Sequence, residues 1–206
     1  MTFYQIISLT AFLICVTSLT YHFFRLIRLG SPKDYSQKIG NLKSAIPYSF
    51  LGAMNPLKKE SAYLHFPTYT AGMLYHTGTF ISVALYFLFL FDIRFSYILQ
   101  LILICILIAS SVSGLGIFLK RITVKKLRNL SNPDDYISNI LVTAFQVFTF
   151  ITLYIESFAP YYYICTGLLF LYLPLGKLKH SIYFFAARYH LGFYYGWRGV
   201  WPSKKS

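Results

Sequence analysis

The sequence is short of acid. Six Asp and Glu stand against 19 Lys and Arg in 206 residues, a formal charge of +13. None of the six lies deep in an apolar stretch, which argues against a transporter built on midplane acids. Cysteine is scarce too: Cys15, Cys105 and Cys165 sit in separate apolar runs, so a disulfide scaffold is excluded and a packing role is expected. No CxxC pair, nucleotide-binding loop or nucleophile triad is present. The chain therefore offers no catalytic residues of its own. Charged residues are only 12% of the total while hydrophobic residues reach 56%, with a mean hydropathy of +0.55. A basic nucleic-acid binder would not be this apolar, and a disordered chain would not carry 20% aromatics. Internal repeats and low-complexity segments are also missing.

Five apolar stretches are present. They cover about 3–24, 68–91, 97–119, 136–154 and 160–180, each near the ~20 residues that cross a bilayer. Each is bounded by charge or Pro. The expected fold is an all-α integral membrane protein, a five-transmembrane-helix bundle forming one domain over 1–206. A loop spans 25–67 and a C-terminal segment spans 181–206.

The basic residues sort by loop. Seven follow the first stretch (Arg25, Arg28, Lys33, Lys38, Lys43, Lys58, Lys59). Five follow the third (Lys120, Arg121, Lys125, Lys126, Arg128). Six follow the start of the fifth (Lys177, Lys179, Arg188, Arg198, Lys204, Lys205), and Arg94 alone falls on the other side. The positive-inside rule then puts the N-terminus outside and the C-terminus in the cytoplasm, in a multi-pass protein of the cell inner membrane. The first stretch reads as a retained helix, because its charges follow rather than precede it.

Local signals agree with this layout. Asn132-Pro133-Asp134-Asp135 reads as a helix start with Asn as N-cap, Pro in the first turn and carboxylates on the dipole. A proton-relay role for Asp134 and Asp135 is the alternative. Residues 120–130 read as a basic interfacial stretch. Residues 30–63 form a loop long enough to suggest docking. The aromatic clusters at 161–163 and 183–197 read as interfacial belts, or as walls of a quinone pocket.

The histidines are the remaining chemistry. His22 reads as a surface residue beside Arg25. His76 lies inside the second stretch between Gly72 and Gly78, small residues that let a flat macrocycle or another helix approach. His180 closes the fifth stretch. Two imidazoles at similar depth on antiparallel helices can ligate one haem iron from both sides. His65 precedes His76 by 11 residues and His190 follows His180 by 10, so a second pair lies about 15 Å further toward the same side.

The segment Gly72-Met73-Leu74-Tyr75-His76-Thr77-Gly78 resembles the second-span motif of the cytochrome b (gamma) subunit of respiratory nitrate reductase. Leu175-Gly176-Lys177-Leu178-Lys179-His180 is similar to that subunit's last-span exit. Residues 61–69 resemble membrane subunits of heterodisulfide reductase-like, quinone-interacting complexes. The resemblance implies haem b between the second and fifth spans, held by His76 and His180. It also implies menaquinone or another quinone as substrate, and an iron–sulfur partner subunit at the cytoplasmic face. The family's outer haem ligands have no counterpart, since Tyr86 and Tyr162 stand near those places; a second haem would use His65 and His190 instead. The expected function is electron transfer in a respiratory oxidoreductase complex. The alternative is a haemless membrane anchor or assembly subunit that docks a cytoplasmic partner. Membrane lipid is an expected contact of the basic loops and nucleic acid is not.

Overall fold

The computed structural model describes residues 1–30, 34–55 and 64–202, and every described element is helical. Lys33, Lys58, Lys59, Lys204 and Lys205 of the basic loops, and residues 61–63 of the His65 motif, lie outside the described residues. The α-helices are α1 (Phe3–Leu29), α2 (Leu42–Phe50), α3 (Phe66–Leu90), α4 (Tyr97–Thr123), α5 (Lys125–Asn129), α6 (Pro133–Tyr154), α7 (Ala159–Tyr172) and α8 (His180–Trp197).

Four helices, α1, α3, α4 and α6, are each long and apolar enough to cross a membrane. At 1.5 Å per residue the shortest, α6 with 22 residues, spans about 33 Å. The fifth stretch is not one helix. The 14 residues of α7 reach only about 21 Å. The chain then turns through residues 173–176, makes a 3-10 turn at Lys177–Lys179 and restarts as α8. Pro174 and Gly176 occupy the break, where the ring of one and the freedom of the other disfavour continuing a helix. The spans therefore number four, or five if this broken pair counts as one. The protein is a multi-span helical bundle; the expected continuous fifth span at 160–180 is replaced by a broken one.

The chain packs as two compact units. The first comprises Met1–Val16 and Pro67–Leu178. Here α6 is central: 39% of its most apolar window is buried, against 17–22% in the other three spans. It packs on α4 and α7. Its start is the expected one. The Asn132 side chain accepts from the Asp135 amide at 3.1 Å and the Asp135 carboxylate accepts from the Asn132 amide at 3.1 Å, a reciprocal cap with Pro133 in the first turn. Leu85, Leu107 and Leu153 form an apolar core with Ile81, Leu103 and Phe150 packed on it. Next to it, Phe12, Tyr86 and Phe170 meet edge-on or tilted, with ring centroids 5.1–6.2 Å apart.

The second unit comprises Thr17–Phe66 and Lys179–Ser206. Its centre is α2 against α8. The two backbones approach closely because glycines line the contact. A Cβ on Gly192 would lie 2.8 Å from Ile46 Cα, one on Gly196 would overlap the Ala45 methyl, and one on Gly40 would overlap the Gly196 carbonyl oxygen. Backbone bonds close the unit: the Ile39 and Gly40 amides both donate to the Trp197 carbonyl, at 3.0 and 3.1 Å. The Trp197 indole donates to the Ser36 carbonyl at 2.9 Å and Arg198 pairs with Asp34 at 2.8 Å. The stretch expected as a long docking loop thus contains α2 and a 3-10 turn at Gly52–Met54.

Candidate functional site

His76 takes its place from the residue before it. The Tyr75 ring turns into the first unit, where its hydroxyl donates to the Asn139 carbonyl at 3.1 Å and lies 2.9 Å from the Thr143 hydroxyl, both on α6. That ring rests on Gly114 of α4, where a Cβ would overlap it. Gly78 meets the Ser110 side chain in the same way. Adjacent helical residues point about 100° apart, so fixing Tyr75 inward turns His76 outward, and His76 is exposed. Its ring stacks on Phe80, one turn on, at 6.4 Å between centroids. One turn before it, a Cβ on Gly72 would meet nothing within 4 Å. His76 thus stands on an open strip of α3 with a bare backbone wall beside it. A flat macrocycle needs such a wall, so this residue fits a haem ligand sterically.

His65, His180 and His190 belong to the second unit. His180 is the first residue of α8 and is exposed; His65 is exposed just before α3. His190 is half-buried, and its Nε2 lies 3.3 Å from the Leu26 carbonyl oxygen of α1. The same ring covers Gly30, where a Cβ would overlap it. His190 therefore helps pack α8 on the end of α1, and with Nε2 so engaged an iron would fall to Nδ1. Among the described residues no three His, Cys, Asp or Glu side chains cluster as a metal site; a haem held by two imidazoles needs no such cluster.

Two further features were not expected from the sequence. The first is a polar network inside the first unit. The fully buried Gln146 amide donates to the Tyr75 carbonyl at 3.0 Å and to the Thr79 hydroxyl at 2.8 Å. Its oxygen accepts from Ser110 at 2.8 Å. This network ties α3, α4 and α6 together and sets the rotation of α3, and hence the direction of His76. Its signal was present as polar residues recurring at helical spacing from Asp135 to Thr152.

The second is a cavity of about 400 Å³ at the end of the first unit remote from Lys177. Its wall includes Tyr4, Phe89 and Tyr163, and its rim carries Asp92, Arg94 and Glu156. Asp92 adopts a positive φ of 53° at the turn after α3, a conformation that Asp tolerates better than most residues. Phe89 is 13 residues from His76 on α3, about 20 Å along the axis. A ligand in this cavity would not touch a group held on His76.

At the opposite end, the buried Asp135 carboxylate is held by Arg121 at 3.1 Å and by Lys177, and Asp134 by the Tyr172 hydroxyl and Ser138. Asp134 and Asp135 thus tie the break after α7 to the start of α6.

These features define a multi-pass helical membrane protein with a buried polar interior and an outward-facing intramembrane histidine. No protein-family model, no curated protein and no solved structure matches the chain.

Proposed function

We propose that the protein is a haem b-carrying membrane subunit that passes electrons between a membrane quinone and an iron–sulfur partner subunit of a respiratory oxidoreductase. The observation that carries this reading is the placement of His76. An exposed imidazole on an apolar, membrane-length helix is costly in lipid. Tyr75 and Gln146 nonetheless hold it outward beside the bare wall at Gly72. Covering that strip with a macrocycle would bury the wall and bring an iron within reach of the ring.

In this reading His76 and His180 hold the haem, and His65 and His190 are candidates for a second. When bound, the haem supplies a one-electron iron couple. The chain's own contribution is orientation: Tyr75 and Gln146 fix the ring that would meet the iron. The basic loops face the cytoplasm and meet an acidic partner surface or anionic lipid, with the N-terminus outside and the protein in the inner membrane. Chemistry on the second substrate belongs to the partner.

A haemless anchor or assembly subunit is the second reading. It is favoured by the second unit, where α2, α8 and the Asp34–Arg198 pair close through protein contacts of their own. Visible spectra of the purified full-length protein separate the two. The first reading expects a reducible b-type band that His76→Ala diminishes by the haem it ligates and His22→Ala spares. A preparation without that band would leave only the anchor.

A further inference from the structure

The central helix α6 is built inside out. Asp135, Asn139, Thr143, Gln146, Thr149 and Thr152 recur at intervals of three or four and, apart from the half-buried Asn139, are buried. They form one polar face that runs along the interior of the first unit. From Asp135 to Thr152 it rises through 17 residue steps, about 26 Å and so close to the ~30 Å of a hydrocarbon core. Packing alone asks for an occasional small or polar residue on such a face, not an unbroken series.

Both ends of the series open. Thr152 lines the cavity described above, whose rim is charged. At the other end, Asp135 is paired with Lys177, whose side chain is 54% exposed, and with Arg121. Among the described residues three buried hydroxyls, those of Ser82, Ser111 and Tyr162, have no partner at hydrogen-bond geometry. Ser111 follows Ser110 and Ser82 follows Thr79 by three residues, and Ser110 and Thr79 are the hydroxyl partners of the Gln146 side chain. The Tyr162 hydroxyl lies close to those of Thr166 and Thr149. A buried hydroxyl left unpaired loses its hydration without compensation, and the usual remedy is an ordered water.

We propose that this face is a hydrated proton path linking the cavity at Thr152 to the Asp134–Asp135 end. Waters on Ser82, Ser111 and Tyr162 complete the series of hydroxyls. At each step a hydroxyl or water oxygen gains a proton from one neighbour and releases another to the next, the Thr149 and Thr152 hydroxyls turning from the Phe145 and Phe148 carbonyls to do so, and nothing is oxidised or consumed. The amides of Asn139 and Gln146 do not relay. The Gln146 donors are committed to Tyr75 and Thr79 and its oxygen to Ser110, and Asn139 donates to the Gly114 carbonyl, so both orient the series while waters beside them carry the proton past. The path uses no haem and does not depend on the proposed function.

The test is proton flux by the full-length protein in liposomes that hold a trapped pH dye, driven by a potassium diffusion potential. Flux above that of protein-free vesicles is expected. Tyr162→Phe should reduce it and Gln146→Leu should bring it to the protein-free rate. Wild-type flux at the protein-free rate overturns the proposal, and so does undiminished flux in Tyr162→Phe. Melting temperatures give a second readout that does not need conduction. If the hydroxyls hold water, Ser82→Ala and Tyr162→Phe leave the melting temperature unchanged or lower it. If the sites are dry, removing an unpaired hydroxyl raises it, and the path is refuted.

Discussion

The two units of this chain solve helix association in opposite ways. In the first, membrane-length helices are joined by buried side-chain hydrogen bonds: Tyr75 to α6, and Gln146 to both α3 and α4. In the second, short helices are joined by the absence of side chains, with Gly40, Gly192 and Gly196 letting backbones touch. Lipid is as apolar as a leucine, so burying apolar surface gives spans little reason to associate and polar contacts supply the specificity. A helix pair with backbone amides, an indole and an ion pair at its seams can use close approach and main-chain bonds instead. Side-chain bonds tolerate replacement by other small polar groups, whereas a glycine contact tolerates nothing larger.

That contrast breaks most sharply at Gly40. In Gly40→Ala the new methyl meets main-chain atoms of Gly196 and Gly199, which cannot rotate away, and overpacking of this kind costs about 3 kcal/mol. Faster proteolysis within 34–55, with the helices of the first unit still protected, is the expected readout.

Next in size is Gln146→Leu. It strips partners from the half-buried Thr79 and buried Ser110 hydroxyls, a loss of about 1–2 kcal/mol. It also frees the rotation of α3. Haem retained per chain should therefore fall although Gln146 touches no ligand, and thermal unfolding in detergent should shift down.

The smallest effect concerns Asp34. The Ser36 hydroxyl and amide, with Arg198 beside them, hold its carboxyl below the ordinary carboxylate value. A lowered folded pKa stabilises the second unit at pH values above the unfolded pKa of about 3.9, and this contribution fades as pH falls through the lowered value. Protease resistance of the second unit should be flat from neutral pH to about 5 and decline below about 4. Asp34→Asn should flatten that decline.

Most of the architecture could be read from residue order alone. The first four spans fall within a few residues of where hydropathy ends them, and the Asn132 start forms the expected reciprocal cap. The fifth stretch is bent at Pro174 and Gly176 rather than continuous, because composition over twenty residues averages away a break that two residues impose. The loop at 30–63 hid α2, a nine-residue helix whose stability comes from α8, far away in sequence. The candidate histidines were legible as residue types, but their directions were not. Tyr75, not His76, decides that His76 faces out, and the Leu26 carbonyl that engages His190 cannot be read from spacing. The polar face of α6 was in the sequence at helical intervals, masked by the apolar residues between its members.

The most direct measurement is haem content by pyridine haemochrome on the purified full-length protein, set against its His76→Ala variant. One or two haem b per chain, reduced in His76→Ala by the haem that this residue ligates, is the predicted result. A wild-type chain with no haem, or a His76→Ala chain with its full complement, would contradict the assignment of His76 as an iron ligand.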